Sequence, residues 1–314
     1  MQTKKIRRIA CVGAGVIGSS WAAYFLLRGL DVTIQDISEQ VVAEAGKNVF
    51  AHLEAMAESG VVSAEPIGSL RARLSCTTSI AEAVKDADFI QESTRERYEI
   101  KRQVIEEVDR HAGKDVIFSS SSSGLLVSKL QGYSVYPGRI IVGHPFNPPH
   151  LIPLVEIVRG QADEVVVRQA YDFYHQIGKR PIIVNKEVPG HVANRIQAAL
   201  WREAIDLVMK GVCSVEDVDA AVAYGPGLRW ALLGPHMIFN LGAGEGGIEA
   251  FFQHYSAAFE TWWEDMAAWR AFPEGCRDVI KEGLKEEMGG RSLPEVEAWR
   301  DEKLMSILRI LDCM

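Results

Sequence analysis

Two side chains in the middle of the chain have the types and spacing for acid-base work. His144 lies in Gly143-His144-Pro145-Phe146-Asn147-Pro148-Pro149, directly after the apolar run Arg139 to Val142. Such a run reads as a strand, and in a parallel sheet the groups that do chemistry sit in loops beyond the C-terminal ends of strands. The prolines that follow would stiffen that loop around the imidazole. Glu156 lies a short step on, inside the apolar segment Leu154-Val155-Glu156-Ile157-Val158. A carboxylate in such a strand either faces water or is buried with a partner. Paired with an imidazole, it would fix the ring's tautomer and raise its basicity. A histidine so held can take a proton from a hydroxyl, which is the base an alcohol oxidation requires.

The acceptor for such an oxidation is indicated near the N-terminus. Gly13-Ala14-Gly15-Val16-Ile17-Gly18 fits the spacing GxGxxG between an apolar strand, Arg8 to Val12, and a helix, Ser19 to Leu27, with small residues on its inner side. The three glycines have separate tasks: a tight turn at Gly13, close approach of a pyrophosphate at Gly15, and close helix-strand packing at Gly18. The helix start, Val16 and Ile17 included, would offer unpaired N–H groups to the phosphates. Asp36 ends the second strand, Asp31 to Gln35, eighteen residues beyond Gly18. A carboxylate there accepts from ribose hydroxyls and repels a 2'-phosphate, and Ile37-Ser38 bring no arginine to neutralise one. NAD is therefore expected rather than NADP. The alternatives are FAD, whose usual insertions are missing from the strand-helix alternation, and a tight turn beside a solvated aspartate with no nucleotide.

These features need a scaffold, and the chain supplies one. Its 314 residues with 47% hydrophobic content suffice for two domains. A helix from about Ser38 to Ser59 is followed by alternating helices and strands: Ile80 to Lys85, Phe89 to Ile90, Tyr98 to His111, Val116 to Ser119, Arg139 to Val142, Glu164 to Ile177 and Pro181 to Val184. This is the pattern of a Rossmann-type, doubly wound α/β sheet with parallel strands. Lys186-Glu187-Val188-Pro189-Gly190 marks a boundary, so residues 1–186 form the dinucleotide-binding domain. Residues 187–314 read as all-helical, with a helix from Val192 to Met209 and a capping signature at Ser214-Val215-Glu216-Asp217. The glycine cluster Gly242 to Gly247 lacks the ending of a phosphate-binding P-loop and reads as a loop among helices.

Bulk properties exclude several classes. A formal charge of -8 argues against nucleic acid, and the short run Lys4, Lys5, Arg7, Arg8 is a solvated lead-in to the first strand. No segment has the uninterrupted apolar length of a membrane span, and no signal peptide is evident. Cys11, Cys76, Cys213, Cys276 and Cys313 are scattered without metal-ligand spacing, so no metal is expected and a reducing, cytoplasmic setting is.

Taken together, Gly13 to Gly18, Asp36, Asp88 to Glu92, Ser119 to Leu125, His144 to Pro148, Leu154 to Ile157, Lys186 to Gly190 and Asn194-Arg195 make the chain resemble the L-3-hydroxyacyl-CoA dehydrogenase superfamily over nearly its whole length. The resemblance implies a catalytic His-Glu pair at His144 and Glu156. It further implies that Ser123 and Asn194 contact the substrate oxygen, that Glu92 lies near the nicotinamide ribose, and that the protein forms a homodimer.

In detail the chain is most similar to the branch of that superfamily acting on small hydroxy acids, such as carnitine and gulonate, which also includes lambda-crystallin, an NAD-binding structural protein. Glu44, Glu54, Glu58 and Glu65 outnumber Lys47 where coenzyme A phosphates would want basic groups. The segment Tyr224-Gly-Pro-Gly-Leu-Arg229-Trp230 offers a guanidinium for a free carboxylate, although Arg229 could equally bridge two helices. Trp230, Phe239, Phe251, Phe252, Tyr255, Phe259, Trp262 and Trp263 crowd the second domain. They fit either a cage for a quaternary ammonium or a core or subunit interface. Leu200 to Ala204 and Gly227 to Trp230 resemble the carnitine-oxidising members, so oxidation of the 3-hydroxyl of L-carnitine to the 3-keto acid is the leading expectation.

Overall fold

The computed structural model describes residues 5–58 and 67–311. Lys4, Ser59, Glu65 and Cys313, named above, lie outside the described residues.

In the first half, strands and helices alternate as β1 (Arg8–Val12), α1 (Val16–Leu27), β2 (Asp31–Gln35), α2 (Glu39–Glu58), α3 (Ile67–Arg71), β3 (Leu74–Thr77), α4 (Ile80–Val84), β4 (Phe89–Glu92), α5 (Tyr98–His111), β5 (Ile117–Ser120) and α6 (Val127–Gln131). They continue as β6 (Ile140–Pro145), β7 (Leu154–Val158), α7 (Glu164–Gln176) and β8 (Arg180–Val184). The strands form one sheet in the order β3-β2-β1-β4-β5-β6-β7-β8. Helices follow: α8 (Ala193–Met209), α9 (Val215–Tyr224), α10 (Pro226–Trp230), α11 (Pro235–Gly242), α12 (Gly247–Asp265), α13 (Cys276–Met288) and α14 (Leu293–Ile310). The α/β first half and the all-helical second half are those read from the sequence.

By internal contacts the chain divides into Met1–Arg195 with Arg300–Met314 as one unit and Ile196–Trp299 as the other. The sequence boundary near residue 186 instead follows the end of the sheet. Buried Met305 and Leu308, near the C-terminus, join the core cluster of the first unit that contains Val49, Leu53 and Met56 of α2.

Two features depart from the sequence reading. The sheet is not wholly parallel: β6 and β7 are antiparallel, and β8 runs parallel to β7. Helix α1 does not bury only small residues on one side, since Gly18 through Leu26 are all buried, Trp21 and Phe25 completely. Trp21 stacks on Phe25, with centroids 5.0 Å apart and an interplanar angle of 9°. A helix at the centre of an open sheet is covered on all sides, which removes the amphipathic contrast. In the second unit, Ser214 caps α9 in a reciprocal capping box with Asp217. Among the described residues no helix is long and apolar enough to cross a membrane.

Candidate active site

The turn after β1 has the geometry a dinucleotide needs. Gly13 has φ +96, and a Cβ there would lie 2.7 Å from the Ser93 carbonyl carbon, while one on Gly18 would lie 1.8 Å from the Gly13 oxygen. Only glycine satisfies both positions. A Cβ on Gly15, by contrast, would meet nothing within 4 Å, and no side chain caps the N-terminus of α1. The free N–H groups of that helix, at Val16 and Ile17 among others, therefore remain for an anion. The half-buried Asp36 accepts from Ala14 N–H at 2.8 Å and from Ile37 N–H at 2.8 Å, which holds its carboxylate over the turn. Gly13, Gly15, Asp36, Ile37, Ser79, Thr94 and Arg95 are among the residues lining a cleft of about 920 Å³. These residues fit an adenine dinucleotide: the open space at Gly15 and the Asp36 carboxylate share one cleft, and uncapped helix N–H groups follow directly on Gly15. Arg95 and Arg110 also line it, and sequence reasoning did not place them there. Arg110 is paired with Glu107 at 2.6 Å.

His144 lies within a strand rather than in the loop after it. β6 continues to Pro145 because β7 runs back beside it, and the antiparallel register sets His144 directly opposite Glu156. The imidazole is thus held by a cross-strand partner, not by the prolines beyond it. Its Nδ1 lies 2.8 Å from Glu156 Oε2, and its Nε2 lies 3.1 Å from the Ser123 hydroxyl. A carboxylate can only accept, so Nδ1 carries the proton and Nε2 presents its lone pair. His144 is 4% exposed, whereas Ser123 is exposed.

Glu156 is completely buried, yet both of its oxygens are used. Oε1 accepts from Val192 N–H at 2.8 Å and Ala193 N–H at 3.0 Å, at the start of α8. Burial pushes the carboxyl up, but the hydrogen bonds from His144, Ala193 and Val192 more than offset this and hold it below its ordinary value. The positive end of a helix and an imidazole thus keep a buried carboxylate ionised. Asn194, the next residue along α8, is half-buried and its side chain makes no hydrogen bond among the described residues.

The serine loop is set from the other side by a residue the sequence reading missed. Glu96 Oε1 accepts from Ser122 Oγ at 2.6 Å, from Ser123 N–H at 2.9 Å and from Gly124 N–H at 2.9 Å. Burial raises this carboxyl, while Ser122, Lys101 and the Gly124 and Leu125 amides together pull it below its ordinary value. Only its distance from Glu92, four residues along the run Glu92-Ser-Thr-Arg-Glu96, could have pointed to it.

Glu92, expected near the nicotinamide ribose, sits in a network of this chain's own groups. It is fully buried, with Oε1 accepting from Lys101 Nζ at 2.8 Å and Thr94 N–H at 2.6 Å, and Oε2 from Lys101 Nζ at 2.9 Å and Ser120 Oγ at 2.5 Å. Those partners occupy it internally, because an ion pair sealed inside the sheet must satisfy its own lone pairs.

His191 was also missed. Its backbone has φ 49, a left-handed conformation uncommon outside glycine. Its Nε2–H donates to the Ser122 carbonyl at 3.0 Å, and its ring centroid lies 5.2 Å from that of His144. Burial, foremost, lowers its pKa. Its buried Nδ1 has no partner among the described residues.

In the helical unit, Arg229 and Trp230 are both exposed on α10. Arg229 has no ion pair or side-chain hydrogen bond among the described residues. The aromatic residues pack on one another: Phe251 lies 4.8 Å from Phe239 and 5.0 Å from Tyr255, and Phe259 lies 4.8 Å from Trp262. Phe252, Trp262 and Trp263 are nevertheless exposed. Gly242 to Gly247 forms a short 3-10 turn, Gly244–Gly246, between α11 and α12.

Comparison with known proteins decides the family. The model of the 3-hydroxyacyl-CoA dehydrogenase NAD binding domain matches residues 8–188, and that of the 3-hydroxyacyl-CoA dehydrogenase C-terminal domain matches residues 190–276. This chain belongs to the 3-hydroxyacyl-CoA dehydrogenase family. It is accordingly an oxidoreductase with an NAD-binding domain. An L-carnitine dehydrogenase of Nocardiopsis dassonvillei is 41% identical over 311 residues, covering 98% of this chain and 92% of the relative. One of Bacillus cereus is 36% identical, covering 99% and 94%. Among solved structures, 5-formyl-3-hydroxy-2-methylpyridine 4-carboxylic acid 5-dehydrogenase, an NAD⁺-dependent dismutase, superposes with a TM-score of 0.84 at 29% identity, covering 98% of this chain and 99% of that one. The (S)-3-hydroxybutyryl-CoA dehydrogenase of Ralstonia eutropha superposes with a TM-score of 0.66 at 27% identity, covering 82% and 89%.

Proposed function

We propose that this member of the 3-hydroxyacyl-CoA dehydrogenase family oxidises the 3-hydroxyl of a small hydroxy acid to the 3-keto acid with NAD⁺, and that L-carnitine is its substrate. The observation that carries the chemistry is the 2.8 Å contact of His144 Nδ1 with a buried carboxylate, which leaves Nε2 as a base beside Ser123. Bound NAD⁺, held along Gly13 to Gly18 and by Asp36, supplies the hydride acceptor. His144 Nε2 takes the hydroxyl proton, and the imidazolium that forms is balanced by Glu156. Ser123, fixed through the backbone by Glu96, and Asn194 hold the substrate oxygen. In the reverse direction the same imidazolium returns the proton.

Two observations support the substrate. Relatives named L-carnitine dehydrogenase match at 36 to 41% identity over nearly the whole chain. Glu44, Glu54 and Glu58 are exposed on α2, an acidic surface unsuited to coenzyme A phosphates. In this reading Arg229 pairs with the carboxylate of the substrate, and Trp230 with its neighbours offers aromatic faces to the quaternary ammonium. NAD is preferred to NADP because Asp36 would face the 2'-phosphate. A homodimer in the cytoplasm completes the proposal. The exposed aromatic surface of α12 suits an interface, and the four described cysteines are all unpaired, as in a reducing compartment.

A second reading, a different small hydroxy acid such as gulonate or a coenzyme A ester, draws on the pyridine-carboxylate and hydroxybutyryl-CoA enzymes that share this fold. NADH formation from NAD⁺ with L-carnitine, D-carnitine, L-gulonate, L-3-hydroxybutyrate and L-3-hydroxybutyryl-CoA separates them. A clear preference for L-carnitine is expected, and turnover of another member of the panel alone replaces the substrate while keeping the chemistry. Tight NADH binding with no turnover of any would favour a crystallin-like structural protein.

A further inference from the structure

The loop joining the two strands that carry His144 and Glu156, residues 146–153, is anchored by a buried lysine that the proposed chemistry does not use. Lys179, just before β8, is 1% exposed. Its ammonium donates to the carbonyl oxygens of Pro149 and of Ile152, the latter at 3.0 Å. It also lies 3.7 Å from the centroid of the Tyr24 ring and 5.1 Å from that of Trp21, both on α1. Among the described residues no carboxylate forms an ion pair with it. Burial, with the charge of Arg28 adding to it, drives its pKa well below the ordinary lysine value. A buried lysine without a carboxylate partner is a costly arrangement in either protonation state, and an apolar side chain would serve a core better.

The same loop is tied to α1 a second time. His150 N–H donates to Ser20 Oγ at 2.9 Å, and Ser20 Oγ lies 2.8 Å from His150 Nδ1. The serine hydroxyl thus bonds to both the backbone and the ring of His150. Burial chiefly, then His52, Lys179 and Arg300, bring the His150 pKa down to about 3, so the ring is neutral and this tie does not titrate near neutrality. His52 of α2 stacks on the ring at 4.2 Å.

We infer that Lys179, with the Ser20–His150 pair, is a positioning clamp that fixes the catalytic hairpin against the helix opening the dinucleotide site, and so sets the position of His144 relative to the cofactor. The inference rests on the reading of His144 as the base. Two facts carry it: the clamp's hydrogen bonds tie the loop between β6 and β7 to α1 and to the residue before β8, and α1 begins at the dinucleotide turn. Its consequence is kinetic, because loosening the hairpin moves the base without removing it, and a displacement of about 1 Å costs on the order of 100-fold in rate.

The test uses full-length protein as wild type, Lys179→Met, Ser20→Ala and His144→Ala. The substrate is whichever of L-carnitine, L-gulonate, L-3-hydroxybutyrate and L-3-hydroxybutyryl-CoA the wild type turns over fastest. Turnover is normalised to NADH-binding sites counted by fluorescence titration, so that loss of folded protein does not register as loss of rate. Lys179→Met is expected to lower kcat about ten- to hundredfold, with the NADH Kd and the substrate KM within about twofold of wild type. Ser20→Ala, the milder change, is expected to lower kcat about threefold, and it decides the matter if Lys179→Met does not fold. Wild-type kcat per binding site in the folded variants would overturn the clamp, as would a loss confined to NADH affinity. Normal turnover by His144→Ala, or no turnover by wild type, would instead overturn the reading on which the clamp rests.

Discussion

The β6–β7 hairpin and helix α10 carry the two sets of residues assigned to one reaction, and they differ in how much of their bonding is complete. On the hairpin, His144 and Glu156 are buried, both ring nitrogens of His144 have partners, and both oxygens of Glu156 are used. On α10, Arg229 and Trp230 are exposed, and the guanidinium has no partner among the described residues. On the proposed reading, the proton-transfer groups are preorganised by the fold, whereas the residues proposed to choose the substrate are exposed side chains. Chemistry and specificity should therefore separate experimentally: changes in the hairpin should act on kcat, and changes on α10 on KM.

Glu156→Gln should break the comparison most severely. A glutamine amide can donate to Nδ1, which would move the ring proton to Nε2 and abolish the base, so kcat should fall by about 1000-fold or more with NADH affinity unchanged. A loss confined to KM would refute the orienting role. The same carboxylate offers a stability test. Its folded pKa lies below its unfolded one, so its contribution is complete above the ordinary carboxylate value and is lost as pH falls through the folded value. Acid unfolding followed by circular dichroism should be less steep in Glu156→Gln than in wild type.

Ser123→Ala removes one hydrogen bond to the reacting oxygen and should cost about ten- to hundredfold in kcat/KM. Unchanged kinetics would leave Ser123 as a loop residue only. Asp36→Arg should move cofactor preference toward NADP by about tenfold or more, read from the ratio of kcat/KM values, and an unchanged ratio would remove Asp36 from the ribose site. Smallest is Arg229→Met, which should raise the substrate KM by several-fold to about tenfold with little change in kcat. A matching fall in kcat would show that the two regions are not separable in this way.

The same contrast explains what was legible in the sequence. The strand-turn-helix at Arg8 to Leu27 and the strand at Asp31 to Gln35 were readable because the glycine spacing and the apolar runs are local signals. β3 was not, since Leu74–Thr77 is a four-residue edge strand with an exposed centre and no apolar run. The His144–Glu156 pair was legible as residue types, but its geometry depends on an antiparallel return that a parallel α/β pattern does not announce. Glu96 escaped notice because its task is to hold backbone amides of a loop more than twenty residues away. The pairing of Glu92 with Lys101 was not legible, because a conspicuous acid at a strand end looks the same whether it faces a ligand or a buried lysine. Lys179 gave no local sign, because its partners are carbonyl oxygens and rings brought together only by the tertiary fold.

The central claim is that His144 is the base, and the most direct test is single-turnover NADH formation by His144→Ala, with NADH affinity measured on the same preparation. A fall of about 1000-fold or more in rate with an unchanged Kd is predicted. A rate near that of wild type would contradict the account, whatever the substrate proves to be.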